Sequence, residues 1–149
     1  MTQILSLRVP DQMLDRLDKY VKKIGKGMTR TQAGIILLEE SLRESEFAFI
    51  EYRDSPIGRQ PYMKGSGLAI WEVIMIAKSY DMDAERMSKD YPYPVENIKG
   101  AFSFYEAFRE ETDQAIEGNN IGYEGLKRLL PNLQLFEVST EEYEGESVP

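Results

Sequence analysis

Residues 4–9, Ile4-Leu5-Ser6-Leu7-Arg8-Val9, read as a strand with nothing nearby to pair with. Leu5, Leu7 and Val9 fall on one face of a period-2 segment, and Ile4, Ser6 and Arg8 on the other. Pro10 cannot extend a ladder and suits a helix start. From Asp11 the period changes. Met13, Leu14, Leu17, Tyr20, Val21 and Ile24 mark the apolar face of an amphipathic helix. Gly25 stands where an αL cap is wanted, and Lys26-Gly27-Met28 turns the chain. Thr29 is a good N-cap for a second helix, from Arg30 to about Glu44. That helix carries Ala33, Ile35, Ile36, Leu37, Leu38 and Leu42, more apolar surface than so small a unit can hide. One strand cannot make a sheet by itself. Two copies can pair their strands antiparallel and interleave four helices, so the pattern predicts an obligate homodimer.

The whole chain has 149 residues, enough for one ordinary domain or two small ones. It contains neither cysteine nor histidine. Disulfides, thiolate metal sites and every Ser-His or Cys-His catalytic unit are therefore excluded. No residue set offers a nucleophile with a base, so the expectation is a protein that is not an enzyme and needs no cofactor. No apolar run is long enough to span a membrane, and Met1 to Val9 lacks the pattern of a secretion signal. A cytoplasmic location is expected. Net charge is −8, which taken whole disfavours binding to phosphate. The average hides an asymmetry. Residues 1–45 carry eight basic and six acidic side chains, and the remainder carries ten basic and twenty acidic ones. A mildly basic head on an acidic body suggests two parts with different partners.

Three parts are expected: residues 1–46, 47–118 and 119–149. In the second, Phe47 to Tyr52 reads as a strand or as an extension of the preceding helix. Ser55-Pro56-Ile57-Gly58 is a turn, and Tyr62-Met63-Lys64 is a short extended segment ended by Gly65-Ser66-Gly67. Ile70, Trp71, Val73, Ile74, Ile76, Ala77 and Tyr80 make a helix apolar nearly all round, hence buried, with Trp71 as core. Asp83 caps a short helix to about Lys89, and Tyr91-Pro92-Tyr93-Pro94 breaks it. A longer helix follows, with Val95, Ile98, Ala101, Phe102, Tyr105 and Phe108 on one stripe, continuing through Glu110, Glu111, Asp113 and Glu117. Three helices after an extended pair suggest a small helix-turn-helix or winged-helix bundle. In the third part, Asn119-Asn120 and Gly122 read as a loop. Tyr123, Leu126, Leu129 and Leu130 form a short amphipathic turn or two, stopped by Pro131. Leu133, Leu135, Phe136 and Val138 alternate loosely. From Glu137 onward there are five acidic residues and no basic one, which predicts disorder.

Residues 4–44 resemble the ribbon-helix-helix (MetJ/Arc-type) DNA-binding superfamily. The strand to Pro10, the helix to Ile24, Gly25, the Met28-Thr29-Arg30 turn and the apolar second helix carry the resemblance. It implies paired strands lying in the major groove, with outward side chains reading base edges. Here those are Ile4, Ser6 and Arg8. Arg8 can pair bidentately with a guanine edge, Ser6 can serve any base, and Ile4 can touch only a thymine methyl. Backbone N–H groups around Thr29 and Arg30 would hold a phosphate. Without this resemblance, residues 1–45 read as a dimerisation ribbon only, with Arg8 a solvated charge.

Residues 59–116 resemble the domain of unknown function 433, a family associated with antitoxins of bacterial toxin–antitoxin pairs. The carrying residues are Arg59 to Gly65, Ile70-Trp71-Glu72-Val73, Met82 to Glu85, Asp90-Tyr91-Pro92 and Val95 to Ala101, running to Phe104-Tyr105. Where that family has Thr-Arg after the glycine, this chain has Ser66-Gly67. A helix-turn-helix reading invites a second DNA contact from Asn97, Lys99 and Ser103, which the acidic residues beyond them would disfavour.

Together the resemblances imply a mostly α fold with a short β-ribbon. A ribbon-helix-helix head would be followed by a small helix-turn-helix or winged-helix-like domain. They imply an antitoxin of the VapB-like kind, a homodimer that binds operator DNA as an autorepressor. Its C-terminal part, through Tyr123, Leu126, Leu129, Leu130, Leu133, Leu135 and Phe136, would neutralise a toxin of the PIN-like ribonuclease kind by helix-in-groove capture; read from the residues alone, these side chains equally suit packing on their own domain or on the dimer mate. The alternatives are a DNA-binding repressor with a sensing second domain and no toxin, and a pure interaction module. Paired acids such as Glu110-Glu111 and Asp81/Asp83 read as solvated faces and caps, so no metal is expected.

Overall fold

The computed structural model describes residues 1–25, 27–56 and 58–129. They form six helices and one two-stranded antiparallel sheet. The chain divides into two compact units, Met1–Ala107 and Phe108–Pro149.

The first unit begins with ten residues in neither helix nor strand. Leu5 and Leu7 are about 70% exposed, at 70% and 68%, and Ile4 is 97% exposed. The alternating pattern is present, but a single chain offers it no ladder partner. Helix α1 (Asp11–Ile24) starts directly after Pro10 and ends at Gly25, whose φ of 67° and ψ of −149° only glycine adopts easily. The expected αL cap is thus a different glycine conformation. Gly25 N–H still closes the helix, donating to Val21 O at 3.1 Å.

Helix α2 (Arg30–Glu46) opens with a full capping box. Gln32 N–H donates to Thr29 Oγ1 at 3.1 Å, and Thr29 N–H donates to Gln32 Oε1 at 2.9 Å. The helix runs on past Glu44 to Glu46. A β-hairpin follows, β1 (Ile50–Ser55) and β2 (Gly58–Met63), in the register Ile50↔Met63 to Ser55↔Gly58. Of the two expectations for Phe47 to Tyr52, the strand is the one realised, from Ile50.

Helices α3 (Ile70–Lys78) and α5 (Val95–Ala107) pack on the hairpin, and α4 (Ala84–Asp90) packs on α5. Met63, Ile70, Val73, Ile74, Met87, Ile98 and Phe104 are fully buried between them and form the core. Phe47 stands edge-on to Phe104, with centroids 5.5 Å apart. Helix α3 is less enclosed than its composition suggests. Met75 is exposed and Trp71 only half-buried, its Nε1–H donating to Gln60 Oε1 at 3.1 Å. Asp83 caps α4 as expected, its carboxylate accepting from Glu85 and Arg86 N–H at 3.1 Å each. Between α3 and α4, Asp81 and Met82 both take positive φ. Tyr80 donates to Asp90 Oδ2 at 2.6 Å, and that bond raises its hydroxyl pKa to about 12.

In the second unit, α6 (Arg109–Leu129) is continuous. Two sequence expectations fail here. The long helix from Val95 does not run through to Glu117, because it ends at Ala107 and a new helix starts at Arg109. The loop expected at Asn119-Asn120 and Gly122 is helical. Each glycine costs a helix about 1 kcal/mol relative to alanine, a deficit that the Glu, Gln, Ala, Leu, Lys and Arg around it can offset. Tyr123, Leu126 and Leu129 therefore sit on a long helix rather than on an isolated turn. Leu130, Leu133, Leu135, Phe136 and the acidic end lie outside the described residues.

Candidate nucleic-acid interface

Arg8 is exposed and forms no ion pair among the described residues. Ser6 and Ile4 are exposed with it. Thr29 and Arg30 lie across the turn at the start of α2. No hydrogen bond or ion pair joins them to Ile4, Ser6 or Arg8 among the described residues, so the five positions form two separate groups in one copy of the chain.

The capping box consumes two of the four N–H groups that a helix start leaves open, those of Thr29 and Gln32. The N–H groups of Arg30 and Thr31 are the two that remain. The Arg30 side chain has another engagement. Its Nε and Nη2 donate to the two oxygens of Asp18 on α1, each at 2.9 Å. This fork-to-carboxylate geometry is the strong kind of charge-assisted pair. The hydrogen bond from Arg30 holds the Asp18 carboxyl below the ordinary range, and the reciprocal bond raises the Arg30 pKa. Spacing alone could not reveal a pair twelve residues apart.

The apolar surface of this region is large. Met13 on α1 and Ile35, Ile36, Leu38 and Leu42 on α2 are exposed, together with Leu5, Leu7 and Val9. Ala33 and Glu40 are the buried residues of α2. By helical period Ile35, Leu38 and Leu42 lie on the face opposite to them. An open depression of about 530 Å³ is lined by Gly27, Met28, Gln32, Ile35 and Ile36.

The residues of the second candidate DNA contact each have a partner within the chain, and Lys99 and Ser103 remain exposed. Asn97 is half-buried, with Nδ2 3.5 Å from Lys64 O. Lys99 pairs with Glu85 at 3.4 Å, and Ser103 Oγ donates to Lys99 O at 3.2 Å. The Gly65-Ser66-Gly67 turn is structural. Ser66 is buried, its hydroxyl donating to Met63 O at 2.6 Å and accepting from Leu68 N–H at 3.1 Å. Arg53 of β1 donates to Ser66 O at 2.8 Å and lies 4.7 Å over the Tyr62 ring. This turn thus takes an arginine from β1. Among the described residues no group of three or more acidic side chains could hold a metal, and no helix is long and apolar enough to cross a membrane.

Comparison of the chain with protein-family models, with curated proteins and with solved structures finds no match to any of them.

Proposed function

We propose that the protein is a homodimeric operator-binding repressor of ribbon-helix-helix type, acting as the antitoxin of a toxin–antitoxin pair. One observation carries the reading. Residues 4–9 and one face of α2 together present an alternating segment without a ladder and an apolar stripe without cover. A second copy satisfies both at once, pairing segment with segment and stripe with stripe. The paired segments then project Ile4, Ser6 and Arg8 on one side as a two-stranded groove reader. Arg8 supplies the base contact. The Arg30 and Thr31 N–H groups at the α2 start supply the phosphate contact, with the Asp18–Arg30 pair bracing the turn behind them.

The toxin-binding half of the reading rests on α6. A helix of 21 residues bearing Tyr123, Leu126 and Leu129 suits capture in an apolar groove.

The test is fluorescence anisotropy with the DNA upstream of the gene, against scrambled DNA, for wild type and Arg8→Ala. Preferential binding by wild type, weakened by about 1–3 kcal/mol in Arg8→Ala and falling steeply with salt, is expected. Equal affinity for both DNAs overturns the operator reading. Capture of a co-expressed neighbouring nuclease by the full chain, lost in Leu126→Asp, is expected for the antitoxin role. Capture unaffected by that change overturns it.

A further inference from the structure

Glu40 is the single buried charged side chain among the described residues, 7% exposed in the middle of α2. A buried carboxylate must be paired. Its partner comes from the hairpin. Arg59 of β2 donates from Nη2 to Glu40 Oε2 at 3.0 Å and from Nε to Oε1 at 3.3 Å. The third guanidinium nitrogen donates to Asp54 Oδ1 at 3.4 Å, directly across the ladder on β1. The other Asp54 oxygen faces Lys23 Nζ of α1 at 3.6 Å. Four elements thus meet in one line of alternating charge. The Tyr20 hydroxyl of α1 is buried without a hydrogen-bond partner among the described residues. Its pKa is raised, first by burial and then by the Glu40 charge.

The two ends of the hairpin are held differently. At the open end, Ile50 and Met63 are buried, and the strands pack on α3 and α5. From mid-strand to the turn, the attachment to α1 and α2 is ionic and polar. Tyr52 N–H donates to Glu44 Oε1 at 2.8 Å, and Arg43 Nη1 donates to Tyr52 Oη at 2.9 Å. Apolar burial at one end and charge at the other make an anchor and a clasp.

We propose that Glu40, Arg59, Asp54 and Lys23 form a latch between the N-terminal helix pair and the hairpin. When the latch opens, the turn end of the hairpin lifts from α1 and α2 while α3–α5 stay folded. The reason lies in Glu40. Deprived of Arg59, which holds both of its oxygens, its carboxylate must regain water. The lift uncovers Glu40, so the state of the hairpin and the packing of α1 on α2 change together. This is independent of DNA binding.

Amide hydrogen exchange on the full chain tests the latch, comparing wild type with Arg59→Gln, which leaves the Glu40 carboxylate without its cation. Exchange about tenfold or more faster in α1, α2 and residues 52–59 is expected, with α3–α5 unchanged. Equal acceleration in α3–α5 makes the pair a general stabiliser and overturns the latch. Unchanged exchange in α1 overturns it too. Should Arg59→Gln fail to fold, Arg59→Lys keeps the charge and loses the fork. The same local pattern is expected there, and a uniform loss of protection overturns the proposal.

Discussion

Gly100 shows how narrowly one residue can be determined. A Cβ at this position would lie 2.8 Å from Ala48 O and 3.1 Å from Phe49 Cδ2. Phe49 itself has φ of 67°, a conformation that non-glycine residues rarely adopt. It is held there in part by Lys64 N–H donating to its carbonyl at 2.7 Å. The turn after α2 can rest against α5 only because residue 100 has no side chain. In most helices Gly→Ala stabilises, by about 1 kcal/mol. Here the clash is with backbone and cannot be relieved by a rotamer change. Gly100→Ala is expected to destabilise by about 1–3 kcal/mol, read from the urea midpoint. An unchanged or higher midpoint would remove the close approach as the reason for glycine.

Between elements, an ion pair from Asp18 to Arg30 joins α1 to α2 beside their apolar contact. The pair is exposed, so its contribution is modest and screened. Its pH dependence nevertheless has a definite sign. The folded Asp18 carboxyl titrates below the ordinary 3.8. Its contribution is therefore complete above that value and is lost as pH falls through the lowered one. The stability difference between wild type and Asp18→Asn is expected to be constant near neutrality and to close below about pH 4. A gap that persists in acid would mean the pair adds nothing through its charge. The same scale explains α6. Glycine and asparagine at 118–122 look like a break when read singly, yet helix formation depends on the sum over a window.

For the whole molecule, the question is what covers Ile35, Leu38 and Leu42. The opposite face of α2 is occupied by its own chain, with Ala33 buried and Glu40 held by Arg59 of β2. In the proposed homodimer the second copy covers this exposed face. Leu38→Lys is expected to give monomers, by sedimentation equilibrium, at concentrations where wild type is dimeric. Far-ultraviolet circular dichroism should show α3–α5 still folded. A Leu38→Lys protein that remains dimeric would place the interface elsewhere.

Much of the local structure was legible in the residues themselves. The ends of α1, the Thr29 cap, the Asp83 cap, the Ser55–Gly58 turn and the punctuating Tyr91-Pro92-Tyr93-Pro94 all rest on interactions within a few positions along the chain. Period and capping chemistry record such interactions directly. Of the candidate site, Ile4, Ser6 and Arg8 are exposed, but so are Leu5, Leu7 and Val9 on the other face, and the engagement of the Arg30 side chain was not legible at all. Only the tertiary structure decided that α6 runs unbroken, that Glu40 is buried beneath Arg59, and that Gly100 lies under Ala48. Nineteen residues separate Glu40 from Arg59 along the chain. A contact of that kind leaves no periodic trace, because its partners are chosen by how elements pack and not by how the chain turns.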